Sequence, residues 1–230
     1  MNNLPLVTVI IPVYNYANYI AATLDSVFAQ TYRPIEVIVV DDGSTDNSAE
    51  IVRAYPEVQY FYQSNQGVSV ARNVAIAAAK GEFLAFLDAD DLWKPDKLSL
   101  QIAYMLENPD IGITGTKSIN FLESDTQLPP WLRDKPHWEE VREILPSTIV
   151  VHKSVFSQIG VFSPDYRASE DTEWQWRAKD ANISIFNINE ILTLRRFQGS
   201  NLSWEMKVTQ KSRMLRIIKE SIARKSTQAR

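Results

Sequence analysis

A chain of 230 residues that is 45% apolar is long enough for one α/β domain with a sizeable core, and its composition is not that of a disordered protein. It has no cysteine, which excludes a disulfide framework and thiolate metal sites and fits a reducing compartment; its only histidines, His137 and His152, lack zinc-ligand spacing. A net charge of −4 argues against bulk nucleic-acid binding, and no stretch approaches the ~20 apolar residues of a membrane helix. The first residues lack a basic-then-apolar signal pattern, so the expected location is cytoplasmic.

Val7 to Ile11 is a β-branched run closed by Pro12, which predicts a first strand buried on both faces. A helix is expected over Tyr19 to Gln30, with Ile20, Leu24, Val27 and Phe28 on one face. Ile35 to Val40 predicts a second strand. It ends in Asp41-Asp42-Gly43-Ser44, where Gly43 supplies a turn and the polar residues after it can cap a helix carrying Ile51 and Val52. Val58 to Tyr62 follows as a strand, and Val68 to Ala79 as a small-residue helix opened by Gly67. Phe83 to Leu87 is a short apolar strand running into Asp88-Ala89-Asp90-Asp91. A helix follows from Pro95 to Leu106, and then a strand from Ile111 to Thr116. This alternation implies a mostly parallel sheet with helices on both faces.

The second half is less regular. Phe121 to Pro146 reads as a loop with a short helix over Glu139 to Ile144. Helices are expected at Ser154 to Ile159 and Asp171 to Ala181. Two strands, Ile183 to Ile188 and Ile191 to Phe197, are expected to meet at Asn189-Glu190, and a last helix runs from about Trp204 towards Arg224. The domain reading is a regular half over 1–116, a less regular half of the same unit over 117–203, and a basic helix and tail over 204–230.

In a parallel sheet the strand ends Pro12-Val13-Tyr14-Asn15, Asp41-Asp42 and Asp88-Ala89-Asp90 lie on one edge and converge on one cleft. The cleft has neither a dinucleotide-type glycine loop nor a P-loop. Two carboxylates two residues apart can share a hard cation, Mg²⁺ or Mn²⁺, with phosphate oxygens and water completing its shell. Arg72 can act as a cationic clamp or as a solvated helix residue, Tyr14 can stack on a base or pack its loop, and Asp42 can bond a base or ribose or serve only its turn.

Thr8-Val9-Ile10-Ile11-Pro12-Val13-Tyr14-Asn15, Val39-Val40-Asp41-Asp42-Gly43-Ser44, Asn65-Gln66-Gly67-Val68-Ser69-Val70-Ala71-Arg72-Asn73 and Phe86-Leu87-Asp88-Ala89-Asp90-Asp91, in this order, resemble the family 2 glycosyltransferases of GT-A fold. The resemblance implies an inverting, metal-dependent transferase using Mn²⁺ or Mg²⁺ and a nucleotide-diphospho-sugar, commonly a uridine or thymidine one, in polysaccharide or glycoconjugate synthesis. It implies donor contacts by Pro12, Val13, Tyr14, Asp42, Arg72, Asp88 and Ala89, and metal contacts by Asp90 and Asp88. Ser169-Glu170-Asp171-Thr172-Glu173-Trp174 resembles the family's acidic pair before a Trp-containing helix, which implies Asp171 as general base with Glu170 as the alternative. Relatives often carry a histidine where this chain has Gln198, a weaker and uncharged ligand, so either a low metal affinity or a larger share of the diphosphate charge on Arg195 and Arg196 is expected.

Acceptor contacts are expected from Trp93 and Trp174, with Trp131, Trp138 and Trp176 as further aromatic surface for a sugar or lipid-linked acceptor. The last 25 residues carry a net charge near +7, with Val208, Met214, Leu215, Ile217, Ile218 and Ile222 among the cations. That helix can lie on an anionic membrane, cover the core or pair two subunits into a homodimer. Two competing functions are a non-catalytic nucleotide-sugar binding module and a sugar-1-phosphate nucleotidyltransferase; the latter lacks its glycine-rich basic loop here.

Overall fold

The computed structural model describes residues 4–122, 140–141, 145–197 and 207–228. Its elements in chain order are β1 (Val7–Val13), α1 (Ile20–Phe28), β2 (Ile35–Asp41), α2 (Ser48–Arg53), β3 (Val58–Tyr62), α3 (Val68–Ala78), β4 (Phe83–Phe86), β5 (Leu92–Trp93), α4 (Lys97–Glu107) and β6 (Ile111–Leu122). They continue with β7 (Glu140–Val141), a 3-10 turn (Pro146–Thr148), β8 (Val150–His152), α5 (Ser154–Ile159), a second 3-10 turn (Pro164–Tyr166), α6 (Glu170–Asp180), β9 (Ser184–Phe197) and α7 (Lys207–Gln228).

One sheet runs in the order β3-β2-β1-β4-β8-β6-β9-β5, with β7 on the side of β6. The pairs β1–β2, β1–β4, β2–β3 and β6–β9 are parallel, while β8 runs antiparallel to both β4 and β6. Most strands therefore point one way, as the alternation of elements implied. Alternate side chains of β1 enter opposite layers, as a period-2 strand requires. Val7, Val9, Ile11 and Val13 pack with Ile20, Leu24 and Val27 of α1 and with Leu98 and Ile102 of α4. Ile10 packs with Leu84, Phe86, Ala71 and Ala75 on the other face. The small residues of α3 let that helix lie close against the strands, which carries Arg72 to the carboxyl ends of β1 and β4.

Two elements of the second half differ from the sequence reading. The residues expected to join two strands, Asn189 and Glu190, lie inside the single strand β9. Its parallel register against β6 jumps there from Thr116↔Ile188 to Lys117↔Ile191, so the pair is taken up in a bulge and the chain does not reverse. The helix expected over 139–144 is not formed where it is described: Glu140 and Val141 pair with Ile119 and Ser118 as strand β7. The last helix, described from Lys207, extends to Gln228, past the expected end near Arg224; Trp204, its expected start, lies outside the described residues. It docks on α6 through buried Asp180, whose carboxylate accepts from Ser221 Oγ at 2.7 Å and Arg224 Nε at 2.8 Å.

Gly81 opens the approach to β4 with no room for a side chain. An added Cβ would lie 2.6 Å from Thr8 N, 2.6 Å from Thr8 Oγ1 and 2.9 Å from Leu6 O. Two of these three neighbours are main chain of the adjoining strand segment and cannot swing away. Gly81→Ala is expected to cost about 1–3 kcal/mol, read as a lowered urea midpoint with an unchanged slope.

Candidate active site

The site is built at the carboxyl ends of β1, β2 and β4. The chain after β1 is stitched to the chain after β2: Asn15 N–H donates to Ser44 Oγ at 3.0 Å, and Thr45 N–H donates to Asn15 Oδ1 at 2.7 Å. Pro12 is half-buried and Val13 buried, with Val13 O accepting from Asp42 N–H at 2.8 Å. Tyr14 projects from this rim, 45% exposed, and offers an open ring.

Asp42 is buried and its carboxylate is already organised. Oδ1 accepts from Gln63 Nε2 at 2.7 Å and Gln66 N–H at 2.8 Å, and Oδ2 accepts from Gly67 N–H at 2.8 Å. It therefore holds the loop that opens α3, beyond any contact to a ligand. Gly43 makes this possible: it sits at φ +83°, and a Cβ there would approach Asn65 N to 2.8 Å.

Arg72 lies on α3 and is 3% exposed. Its Nη2 donates to Asp88 Oδ1 at 2.7 Å and its Nη1 to Glu170 Oε1 at 2.8 Å. One guanidinium thus joins the end of β4 to the start of α6. The partners of Arg72 in this structure are two protein carboxylates, where the sequence reading expected a clamp on phosphates or a solvated helix residue.

Asp88, Ala89, Asp90 and Asp91 form a tight turn closed by Asp91 N–H to Asp88 O at 3.1 Å. Thr23 Oγ1 donates to Ala89 O and Asp91 O. Asp88 is half-buried, whereas Asp90 and Asp91 are buried. Burial, then the charge of Asp88, pushes the Asp90 carboxyl up to about 7, against the pull of Arg195 and Arg196. Burial, then Asp90 and Asp88, drives Asp91 well above the ordinary carboxylate range. Tyr16 is pushed up by burial and by the same acids, which places its phenol beside them.

Asp88 and Asp90 supply hard oxygen donors, and the crowding that raises Asp90 is relieved by a divalent cation, so the donor set suits Mg²⁺ or Mn²⁺ in kind. Among the described residues no group of three or more acidic or histidine side chains is placed to hold one metal ion together.

The first turn of α6 carries Glu170, Asp171 and Glu173, where the helix dipole favours negative charge. Glu170 is buried and committed to Arg72. Asp171 is half-buried; burial, then the neighbouring Glu170, raises its carboxyl to about 6, while the Thr172 main chain and Arg72 pull it down. Arg72 and Asp88 both act on Asp171, so the D-x-D turn and the acidic pair form one electrostatic unit.

Neither tryptophan assigned to the acceptor has an open face. Trp93 is 4% exposed, donates Nε1–H to Ser147 O at 2.7 Å, and has Lys97 Nζ 4.2 Å from its ring centroid. Trp174 is fully buried, stacks 4.8 Å from Phe156 and donates to Gly160 O at 2.9 Å. Both are core residues, because an indole fills a layer between sheet and helix and finds a carbonyl for its N–H. Trp176 is half-buried, with Lys179 5.9 Å from its ring centroid. Trp131, Trp138 and Gln198 lie outside the described residues. Arg196, expected to face a diphosphate, donates Nε–H to Asp90 O and its main-chain N–H to Asp91 Oδ1, both at 3.0 Å. Sequence reasoning missed Ser147, Tyr16 and Thr23 around the turn; nothing in their spacing marks them, because chain folding alone brings them there.

A mixed sheet with parallel strand ends that gather a D-x-D turn and an acidic helix start defines a GT-A-type glycosyltransferase fold. Comparison with known proteins agrees. The family model described as glycosyl transferase family 2 matches residues 8–178, and the chain belongs to that family. TuaG of Bacillus subtilis, a glycosyltransferase provisionally named for teichuronic acid biosynthesis, is 44% identical over 208 residues, covering 86% of this chain and 82% of TuaG. An uncharacterized glycosyltransferase of Nostoc sp. is 46% identical over 112 residues, 46% of this chain and 35% of that protein. One from Rickettsia typhi is 34% identical over 179 residues, 73% and 56% of the two chains. The chain thus spans about a third to just over half of these last two relatives. In fold it is similar to S. aureus TarS residues 1–349 in complex with UDP, with TM-score 0.68, 24% identity, and coverage of 83% of this chain and 60% of that one. It is also similar to the mannosyltransferase PcManGT of Pyrobaculum calidifontis in complex with GDP-Man and Mn²⁺, with TM-score 0.73, 20% identity, and coverage of 96% and 65%.

Arg72→Leu leaves buried Glu170 without its partner and frees Asp88. Breaking a buried pair in this way is expected to cost about 3 kcal/mol, measured by urea unfolding. Arg72→Leu with Glu170→Leu together is expected to recover part of that loss.

Proposed function

We propose that this protein is an inverting glycosyltransferase that passes a sugar from a nucleotide-diphospho-sugar to an acceptor hydroxyl during polysaccharide or glycoconjugate synthesis. The observation that carries this reading is the Arg72 bridge, which fixes the donor-side carboxylates and the acidic start of α6 in one cluster. Family membership and the similarity to TuaG support the same class of reaction.

Tyr14 offers its open ring to the nucleobase beside Pro12 and Val13, and the loop ordered by Asp42 closes the other side. Asp88 and Asp90 would hold Mn²⁺ or Mg²⁺, which when bound offsets the charge developing on the departing diphosphate. Inversion takes a single displacement at the anomeric carbon, with a carboxylate removing the acceptor proton from the opposite face. Asp171 suits that role. It is only half-buried, and at about 6 its carboxyl is ionised at neutral pH yet more basic than an ordinary aspartate. Glu170 positions it through Arg72. The solved neighbours hold UDP and GDP-Man in their own sites; for this chain a uridine or thymidine diphospho-sugar is our expectation.

A melting-temperature screen of UDP-, dTDP- and GDP-sugars with and without Mn²⁺ tests the donor site. One nucleotide class is expected to raise the melting temperature only with the metal, and Asp90→Asn is expected to abolish that rise. Asp171→Asn is expected to keep donor binding and to lower turnover by at least about 100-fold. In the wild-type enzyme kcat/KM is expected to rise with pH through about 6, because the base works only when ionised. An Asp171→Asn protein that transfers sugar normally would remove Asp171 from the mechanism.

We further infer that α7 rests on an anionic membrane surface. Its buried side is Ile217 and Ser221, while Leu215 is 65% and Ile222 61% exposed, with Lys219 exposed between them. An apolar stripe flanked by cations fits acidic lipid headgroups. Among the described residues no helix is long and apolar enough to cross a membrane. Leu215→Asn with Ile222→Asn is expected to abolish cosedimentation with phosphatidylglycerol vesicles at an unchanged melting temperature; equal binding by wild type and variant would refute the surface.

A further inference from the structure

Ser147 lies in the 3-10 turn Pro146–Thr148 and is fully buried. Its hydroxyl oxygen accepts from Asp88 N–H at 3.1 Å. The other ties hold different groups: Thr23 takes the carbonyls of Ala89 and Asp91, and Arg196 takes Asp90 O and Asp91 Oδ1. The main-chain N–H of Asp88, which sets where that side chain leaves β4, is held by Ser147.

Ser147 is itself fixed from behind. Its carbonyl accepts from Trp93 Nε1 at 2.7 Å and Thr193 Oγ1 at 3.1 Å. Thr148 Oγ1 closes the turn onto Leu145, accepting its N–H at 3.1 Å and donating to its carbonyl at 2.8 Å. Thr148 O accepts from Gln101 Nε2 at 3.1 Å, and fully buried Lys97 donates Nζ to Gln101 Oε1 at 2.7 Å. The polar groups buried under α4 thus make a rigid support whose outermost atom is the Ser147 hydroxyl.

We propose that Ser147 is a positioning residue for the D-x-D turn: by holding Asp88 N–H it fixes where the Asp88 carboxylate leaves β4 beside that of Asp90. The proposal rests on the reading of Asp88 and Asp90 as the metal-binding pair. Groups that orient metal ligands in this way change metal affinity by about 10–100-fold when removed. Ser147 touches neither Asp171 nor the acceptor side, so its loss acts on the metal and donor and leaves the base untouched.

The test counts free Mn²⁺ by its electron paramagnetic resonance signal, titrated against protein saturated with UDP or GDP, whichever raises the wild-type melting temperature with Mn²⁺. Ser147→Ala is expected to weaken Mn²⁺ binding by at least about 10-fold, while the slope of kcat/KM against pH near 6 is kept. Thr193→Val removes a bond to the same turn without touching the D-x-D groups, and it is expected to lower the melting temperature with Mn²⁺ affinity unchanged. Ser147→Cys keeps the volume with a weaker donor and acceptor, and takes the same measurement if the alanine protein does not fold. Wild-type Mn²⁺ affinity in the Ser147 variant, or an equal loss in Thr193→Val, overturns the proposal. Asp90→Asn separates the two levels: if it loses Mn²⁺ binding while Ser147→Ala keeps it, only the positioning role fails. If Asp90→Asn binds Mn²⁺ normally, or no nucleotide shifts the wild type, the metal pair itself is wrong and the proposal falls with it.

Discussion

The site depends on one buried cation. Arg72 reaches Asp88 and Glu170, which come from opposite halves of the chain; Glu170 lies 98 positions away in sequence. Removing a guanidinium from water is costly, and two charge-assisted bonds offset that cost only if both partners are held in place. They are, because β4 fixes one and the first turn of α6 the other. Arg72 Nε and Glu170 Oε2 remain buried without a partner among the described residues, so the bridge is not fully satisfied. A structure built for stability alone would fill this space with apolar side chains. Retaining an incompletely satisfied ion pair makes sense if it sets the relation between two functional edges.

The second constraint is repulsion among acids. Asp88, Asp90, Asp91, Glu170 and Asp171 crowd one rim, and Asp90, Asp91 and Asp171 are all pushed upward. A carboxyl raised in the folded state binds its proton more tightly there than in the unfolded chain. Its contribution is therefore fully present below the unfolded value near 3.8 and is lost as pH rises through about 6 for Asp171 and about 7 for Asp90. The acidic rim is in this sense strained at neutral pH, and any cation that enters it relieves the strain. The same physics makes Asp171 a better base than a free aspartate.

Much of the first half was legible because its signals are local. β1 and β2 are runs of β-branched residues, buried on both faces as such runs must be in a parallel sheet. Their ends then had to share an edge with Asp88-Ala89-Asp90. The acidic pair before Trp174 was legible by resemblance, and the structure joins it to Arg72. What sequence could not show was set by tertiary context. Asn189-Glu190 has the composition of a turn, yet β6 continues alongside and the pair becomes a bulge in β9. Trp93 and Trp174 have the chemistry of a sugar platform, but burial and a carbonyl partner for each indole made them core. Ser147 and Thr23 have no local pattern at all, since their partners lie 59 and 66 positions away.

The two adjacent acids of α6 show how helix geometry divides roles between chemically similar groups. Successive residues on an α-helix point about 100° apart, so a buried cation on one side can hold only one of them. Glu170, with the longer side chain, reaches inward to Arg72. Asp171 is half-buried; burial and the repulsion of its neighbour raise its carboxyl, against the pull of Arg72. Two adjacent acids of like charge are thus set apart by which of them the buried guanidinium can reach.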